Sequence, residues 1–123
     1  MNIHKPGSAP GIGFGTAESR AGRVAVVSVW GDLDALTAPM LARAIRSAAQ
    51  RQPDALIVDL SAVGFLASAG MSVLVDAHEE LRPAVRFRVV ADGPSTGRPL
   101  ALLGIDALIA VHRTLEAALG GEL

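Results

Sequence analysis

The chain contains no cysteine. It therefore has no disulfide, no thiol nucleophile and no thiolate metal site, which fits a reducing compartment. An excess of charge of either sign is missing as well. Eleven basic and twelve acidic residues give a formal net charge of -1, and the basic residues are scattered along the chain. There is no electrostatic footprint for nucleic acid and no polybasic segment for a membrane surface. Long apolar runs are also lacking. The longest, Pro99 to Val111, is interrupted by Gly104 and Asp106 and falls short of the roughly 20 residues of a membrane helix. The opening residues show no continuous apolar stretch of the signal-peptide kind. The expectation is a protein of the cytoplasm, with no membrane and no direct nucleic-acid partner.

What is present is apolar and regularly punctuated. Half of the 123 residues are hydrophobic, enough for one core and one domain. Residues 1–13 hold several glycines and prolines and are expected to be a flexible leader, with a single domain over 14–123. Phe14 to Ser19 and the valine-rich Arg23 to Trp30 read as a hairpin of strands turning at Ala21-Gly22. In the next segment Thr37 is expected to N-cap a helix with Pro39 in its first turn. Leu41, Ile45 and Ala48 recur on one face of that helix, and Pro53 stops it. Asp54 to Leu60 is a continuous apolar run of strand length. SAVGFLA, residues 61–67, reads as a loop.

A helix follows from Ser68 and closes before Pro83. Met71, Leu74, Val75 and His78 form one stripe, and Ser72, Asp76, Glu79 and Glu80 another. Arg86 to Ala91 is a strand, Pro99 to Leu103 a short helix, Leu108 to Val111 a strand, and Thr114 to Leu119 a last helix. The order ββαβαβαβα predicts an α/β domain with a mixed, mostly parallel sheet of about five strands and packed helices. Leu56, Ile57, Val58, Leu74, Val75, Val89 and Val90 are the expected core.

Catalytic patterns are weak. His4, His78 and His112 have no second histidine at ligand spacing, so no metal site is expected. The sequence around Ser68 lacks the first glycine of a Gly-x-Ser-x-Gly nucleophile elbow, which is Leu66 here. Gly11, Gly13 and Gly15 precede a strand, whereas a dinucleotide loop follows one. Asp32 and Asp34 have no histidine beside them and read as turn acids. The reading is of a protein without catalytic residues or cofactor. Ser68 stands out because it falls where an apolar loop meets an amphipathic helix. It is expected to be an N-cap, and a helix N-terminus also accommodates a phosphate.

Two blocks carry a resemblance. DLSAVGFLASAGMSVLV, Asp59 to Val75, is similar to the signature of anti-sigma-factor antagonists of the STAS domain family, and GDLDALTAPMLARAI, Gly31 to Ile45, resembles that family's second conserved block. The resemblance runs over roughly residues 14 to 119. It implies a STAS-like domain that binds an anti-sigma factor with serine kinase activity and so frees a sigma factor. It also implies a phosphorylation that weakens the complex and a phosphatase that reverses it. By the resemblance Ser68 is the phosphorylated residue. The partner-binding surface comprises Asp32, Asp34, Ala67, Ser68, Ala69, Gly70 and Ser72. The acidic stripe of Asp76, Glu79 and Glu80 implies a basic partner.

The chain departs from the family's common acid–Ser–Ser/Thr–Gly run, since Ala67 and Ala69 flank Ser68. A kinase acting in this turn has Ser68 as its only hydroxyl. The alternatives are a constitutive STAS interaction module or assembly subunit, with Ser68 only a cap, and a small enzyme or ligand-binding domain using Asp32, Asp34 and Ser68.

Overall fold

The computed structural model describes residues 13–120. Its elements are β1 (Gly15–Ala21), β2 (Val24–Leu33), α1 (Ala38–Ala49), β3 (Ala55–Leu66), α2 (Ser68–Leu81), β4 (Arg86–Val90), α3 (Gly97–Leu102), a 3-10 turn (Ile105–Ala107), β5 (Ala110–His112) and α4 (Leu115–Gly120). The expected hairpin forms, with β1 antiparallel to β2. The other pairings, β2 with β3, β3 with β4 and β4 with β5, are parallel. The strands lie in chain order across one five-stranded sheet.

Strand periodicity divides the valines between two cores. Ala25, Val27 and Val29 of β2 face the same side as Leu56, Val58 and Leu60 of β3 and Phe87 and Val89 of β4. Leu41, Ile45 and Ala48 of α1, Met71, Leu74 and Ala77 of α2, and Leu100 of α3 close that side. Parallel neighbours joined in chain order by crossovers of one hand receive their helices on one face. The helix α4 follows the last strand, makes no crossover and covers the opposite face. There Ala118, with Leu115 and Leu119 against it, meets Val24, Val26, Ala55, Ile57 and Val90. Burial on both faces explains the unbroken apolar run of β3.

The expected core residues are buried except Val75, which is partly buried and packed against the cluster. Ala77 takes the inward position one turn beyond Val73. The reading of residues 61–67 as a loop is corrected. Through Leu66 they continue β3, paired to β2 with two register shifts, between Ser28 and Trp30 and between Gly31 and Asp32. Each shift places an extra residue in β3. The first sits where Asp59 Oδ1 accepts from the backbone N–H and the hydroxyl of Ser61. The second falls at Gly64, opposite Gly31, whose φ of +93° is accessible to glycine. Both strands thus run past the end of the regular ladder and deliver the β2–α1 turn beside the start of α2.

Candidate functional site: the rim around Ser68

The β2–α1 turn is built on Asp34. Its Oδ1 accepts from the backbone N–H groups of Leu36 (3.0 Å) and Thr37 (3.2 Å) and from the Thr37 hydroxyl. The Asp34 N–H in turn donates to Thr37 Oγ1 at 2.9 Å, and the single proton of that hydroxyl is shared between Asp34 Oδ1 at 3.2 Å and the Asp32 carbonyl at 2.8 Å. Thr37 occupies the N-cap position of α1 but makes no capping bond to the helix. The expected Thr37 cap is therefore a knot tied backwards into the turn, with Asp34 at its centre. The Asp32 carboxylate faces the other way. It is exposed, and its Oδ1 lies 3.6 Å from where a Cβ on Gly64 would sit.

Strand β3 joins α2 through a single residue. Leu33 and Leu66 are paired, and the Ala67 N–H donates to the Leu33 carbonyl at 2.9 Å. Ala67, in extended conformation, is the N-cap, with the N–H groups of Gly70 and Met71 bonded to its carbonyl. The expectation that Ser68 caps α2 is thus corrected. Ser68 is the first residue of the helix, exposed, and its hydroxyl makes no capping bond. The extended ladder between β2 and β3 fixes the backbone one residue earlier, so the cap position falls on alanine.

Of the residues implied in partner binding, the structure brings Asp32, Ala67, Ser68, Ala69 and Ser72 to one rim. Asp32 and Ser72 are exposed, and Ala67 and Ala69 are half-buried. Asp34 is half-buried, with one carboxylate oxygen committed to its own turn. Gly70 is corrected outright. It is buried against the core, where a Cβ would lie 2.6 Å from Leu33 Cγ and 3.0 Å from Leu66 Cδ1. It sets how closely α2 approaches the sheet and is not available to a partner.

The residues that sequence reasoning missed are apolar and exposed. Leu36 in the β2–α1 turn is 86% exposed, Phe65 at the end of β3 is 53% exposed, and Leu103 after α3 is 62% exposed. Phe65 is paired with Asp32 across the ladder. Leu103 and Ile105 join Ser68, Met71, Ser72, Val75 and Asp76 around a shallow depression of about 250 Å³. No periodic signal could have found these side chains, because each lies in a connection or at a bulged strand end. Among the described residues no group of three or more potential metal ligands comes together. No described helix is long and apolar enough to cross a membrane.

Comparison with known proteins agrees with this architecture. The STAS domain model matches residues 18–118. Anti-sigma-F factor antagonist RsfB of Mycobacterium tuberculosis is 43% identical over 98 residues, covering 80% of each chain. The crystal structure of an anti-sigma factor antagonist from Mycobacterium paratuberculosis superposes with a TM-score of 0.83 at 40% identity, covering 95% of this chain and 96% of that one. A putative anti-sigma factor antagonist from Thermotoga maritima, 16% identical, shares the fold with a TM-score of 0.76 over 85% of this chain and 91% of its own. With a family match over most of its length and a relative at 43% identity covered to 80%, the chain belongs to the STAS domain family.

Proposed function

We propose that the protein is an anti-sigma-factor antagonist. It binds an anti-sigma factor that has serine kinase activity, frees a sigma factor in the cytoplasm, and is switched off by phosphorylation of Ser68. The observation that carries the reading is the placement of Ser68. Its hydroxyl is exposed at the first turn of α2 and makes no capping bond. It stands on a rim that also holds Asp32, Phe65 and Leu103. The RsfB relative and the Mycobacterium paratuberculosis protein, at 43% and 40% identity, are both named antagonists of this class. The reading is of a binding protein and involves no cofactor.

The physical basis of the switch is local. A phosphoserine brings about -1.5 to -2 charges. At the first residue of a helix that charge is tolerated by the fold, because it faces the unpaired N–H groups and the positive end of the helix dipole. At an interface shaped around a small neutral hydroxyl the same group imposes desolvation and steric cost. A second reading, constitutive binding without phospho-control, is favoured by Ala67 and Ala69, which replace the acid and the second hydroxyl common in the family.

The test is to incubate the purified protein with ATP and candidate anti-sigma kinases and to locate phosphate by mass spectrometry. Phosphate on Ser68, with affinity lowered at least tenfold in the phosphorylated protein and in Ser68→Asp, is expected. Phosphate on Ser61 or Ser72, or acidic variants that bind as tightly as wild type, would leave the constitutive reading. If no anti-sigma factor binds and a small molecule co-purifies, both readings fall.

A further inference from the structure

The depression beside Ser68 lies outside both sequence blocks on one of its sides. Its α2 wall is Ser68, Met71, Ser72 and Val75 of the signature segment with Asp76 just beyond it, and its other wall is Leu103 and Ile105. Those two residues belong to the connection between β4 and β5, which the switch itself does not require. Leu103 is 62% exposed, whereas Leu100 of the preceding helix is fully buried. Asp76 is exposed and makes no ion pair or hydrogen bond among the described residues. Two turns separate it from Ser68, so Ser68, Ser72 and Asp76 lie along one side of the helix.

A volume of about 250 Å³ is below the roughly 300–1,000 Å³ of small-molecule pockets, and it suits an inserted side chain. We propose that this depression receives a large apolar side chain of the anti-sigma factor, flanked by a lysine or arginine that pairs with Asp76, so that Leu103 and Asp76 determine which anti-sigma factor is bound. This rests on the functional reading given above and adds a specificity element to it. A side chain anchored in a well-packed pocket is the usual form of an interface hot spot. The pocket mouth also places the anchor next to Ser68. A phosphoryl group there would meet the incoming side chain directly, which couples selection of the partner to its release.

The test measures the affinity of purified anti-sigma factor for the wild-type protein and for Leu103→Asp, Leu103→Ala, Asp76→Lys and Leu102→Asp, with circular dichroism confirming that each is folded. Leu102 is the control, since it is 72% exposed, adjacent in sequence and not part of the depression. Leu103→Asp is expected to weaken binding at least tenfold, Leu103→Ala three- to tenfold and Asp76→Lys at least fivefold. The Asp76→Lys complex should also lose part of its salt sensitivity. Leu102→Asp should stay within twofold of wild type. Wild-type binding that survives Leu103→Asp and Asp76→Lys unchanged overturns the proposal alone. A wild-type protein that binds no anti-sigma factor overturns the functional reading, and the proposal with it.

Discussion

Substituting Gly70 by alanine puts one methyl group where α2 crosses the end of the β2–β3 ladder. Gly70 has no positive φ, so the residue is small for reasons of space and not of conformation. The new Cβ would stand 2.6 Å from Leu33 Cγ, 2.9 Å from Leu33 Cδ2 and 3.0 Å from Leu66 Cδ1. Both leucines are buried in the main core and cannot swing aside. Overpacking of this kind costs about 1–3 kcal/mol, and three contacts at or below 3 Å place this case near the top of that range. Alanine recovers up to about 1 kcal/mol of helix propensity. The expected net loss is about 2 kcal/mol, or ~8 °C in melting temperature for a domain of this size.

Urea denaturation followed by far-UV circular dichroism measures this directly, and a double-mutant cycle tests its cause. Leu33→Ala removes two of the three atoms that the new methyl meets. Alone it should cost about 2–5 kcal/mol, but in the Gly70→Ala background it should cost at least 1 kcal/mol less, because the two changes relieve each other. An unfolding midpoint for Gly70→Ala at or above wild type, or strict additivity in the cycle, would refute the packing argument. The same strain levers the start of α2 away from the sheet. Partner affinity should therefore fall with Gly70→Ala even though the residue is buried.

Three further outcomes concern single side chains. Ser68→Ala should change stability by no more than about 0.5 kcal/mol, since the hydroxyl caps nothing. A loss of 1 kcal/mol or more in chemical denaturation would show a cap that the structure does not contain. Asp34→Ala removes the acceptor for two backbone N–H groups and one hydroxyl. It should cost about 1–2 kcal/mol, while Asp32→Ala, read by the same assay, should be nearly neutral. The ion pairs Arg23–Asp54 and Arg113–Asp92 are exposed on both partners, so Arg23→Ala and Arg113→Ala should each shift the melting temperature by less than about 4 °C.

Much of the fold could be read from periodicity, and the places where it could not share one cause. In α1 the spacing of Leu41, Ile45 and Ala48 matches the buried face. The unbroken run of β3 implied a central strand covered on at least one face, and the structure covers both. The failure lies just beyond that run. From Leu60 onward the buried positions of β3 are Leu60, Val63 and Leu66, a spacing of three that breaks the alternation of a regular strand. Two bulges, each inserting one residue, turn the alternation of two into steps of three. A template of period two reads such a segment as loop, and Ser61 and Gly64 reinforce the error.

The same extension decides what could be read of the site. Ser68 was legible as a position, because an apolar segment meets a helix there. Its bonding was not, because the cap is set by the Ala67 N–H held on the Leu33 carbonyl, a contact made across 34 residues of chain. Gly70 is adjacent to the rim in sequence but faces the core, a direction fixed by the angle at which α2 leaves the ladder. Leu103 carries no pattern of its own and becomes part of the site only because the β4–β5 connection folds against α2. On the proposed reading a short motif locates the switch, while the walls that choose what binds come from distant connections. Substitutions in those connections should change the choice of partner and leave the chemistry at Ser68 intact.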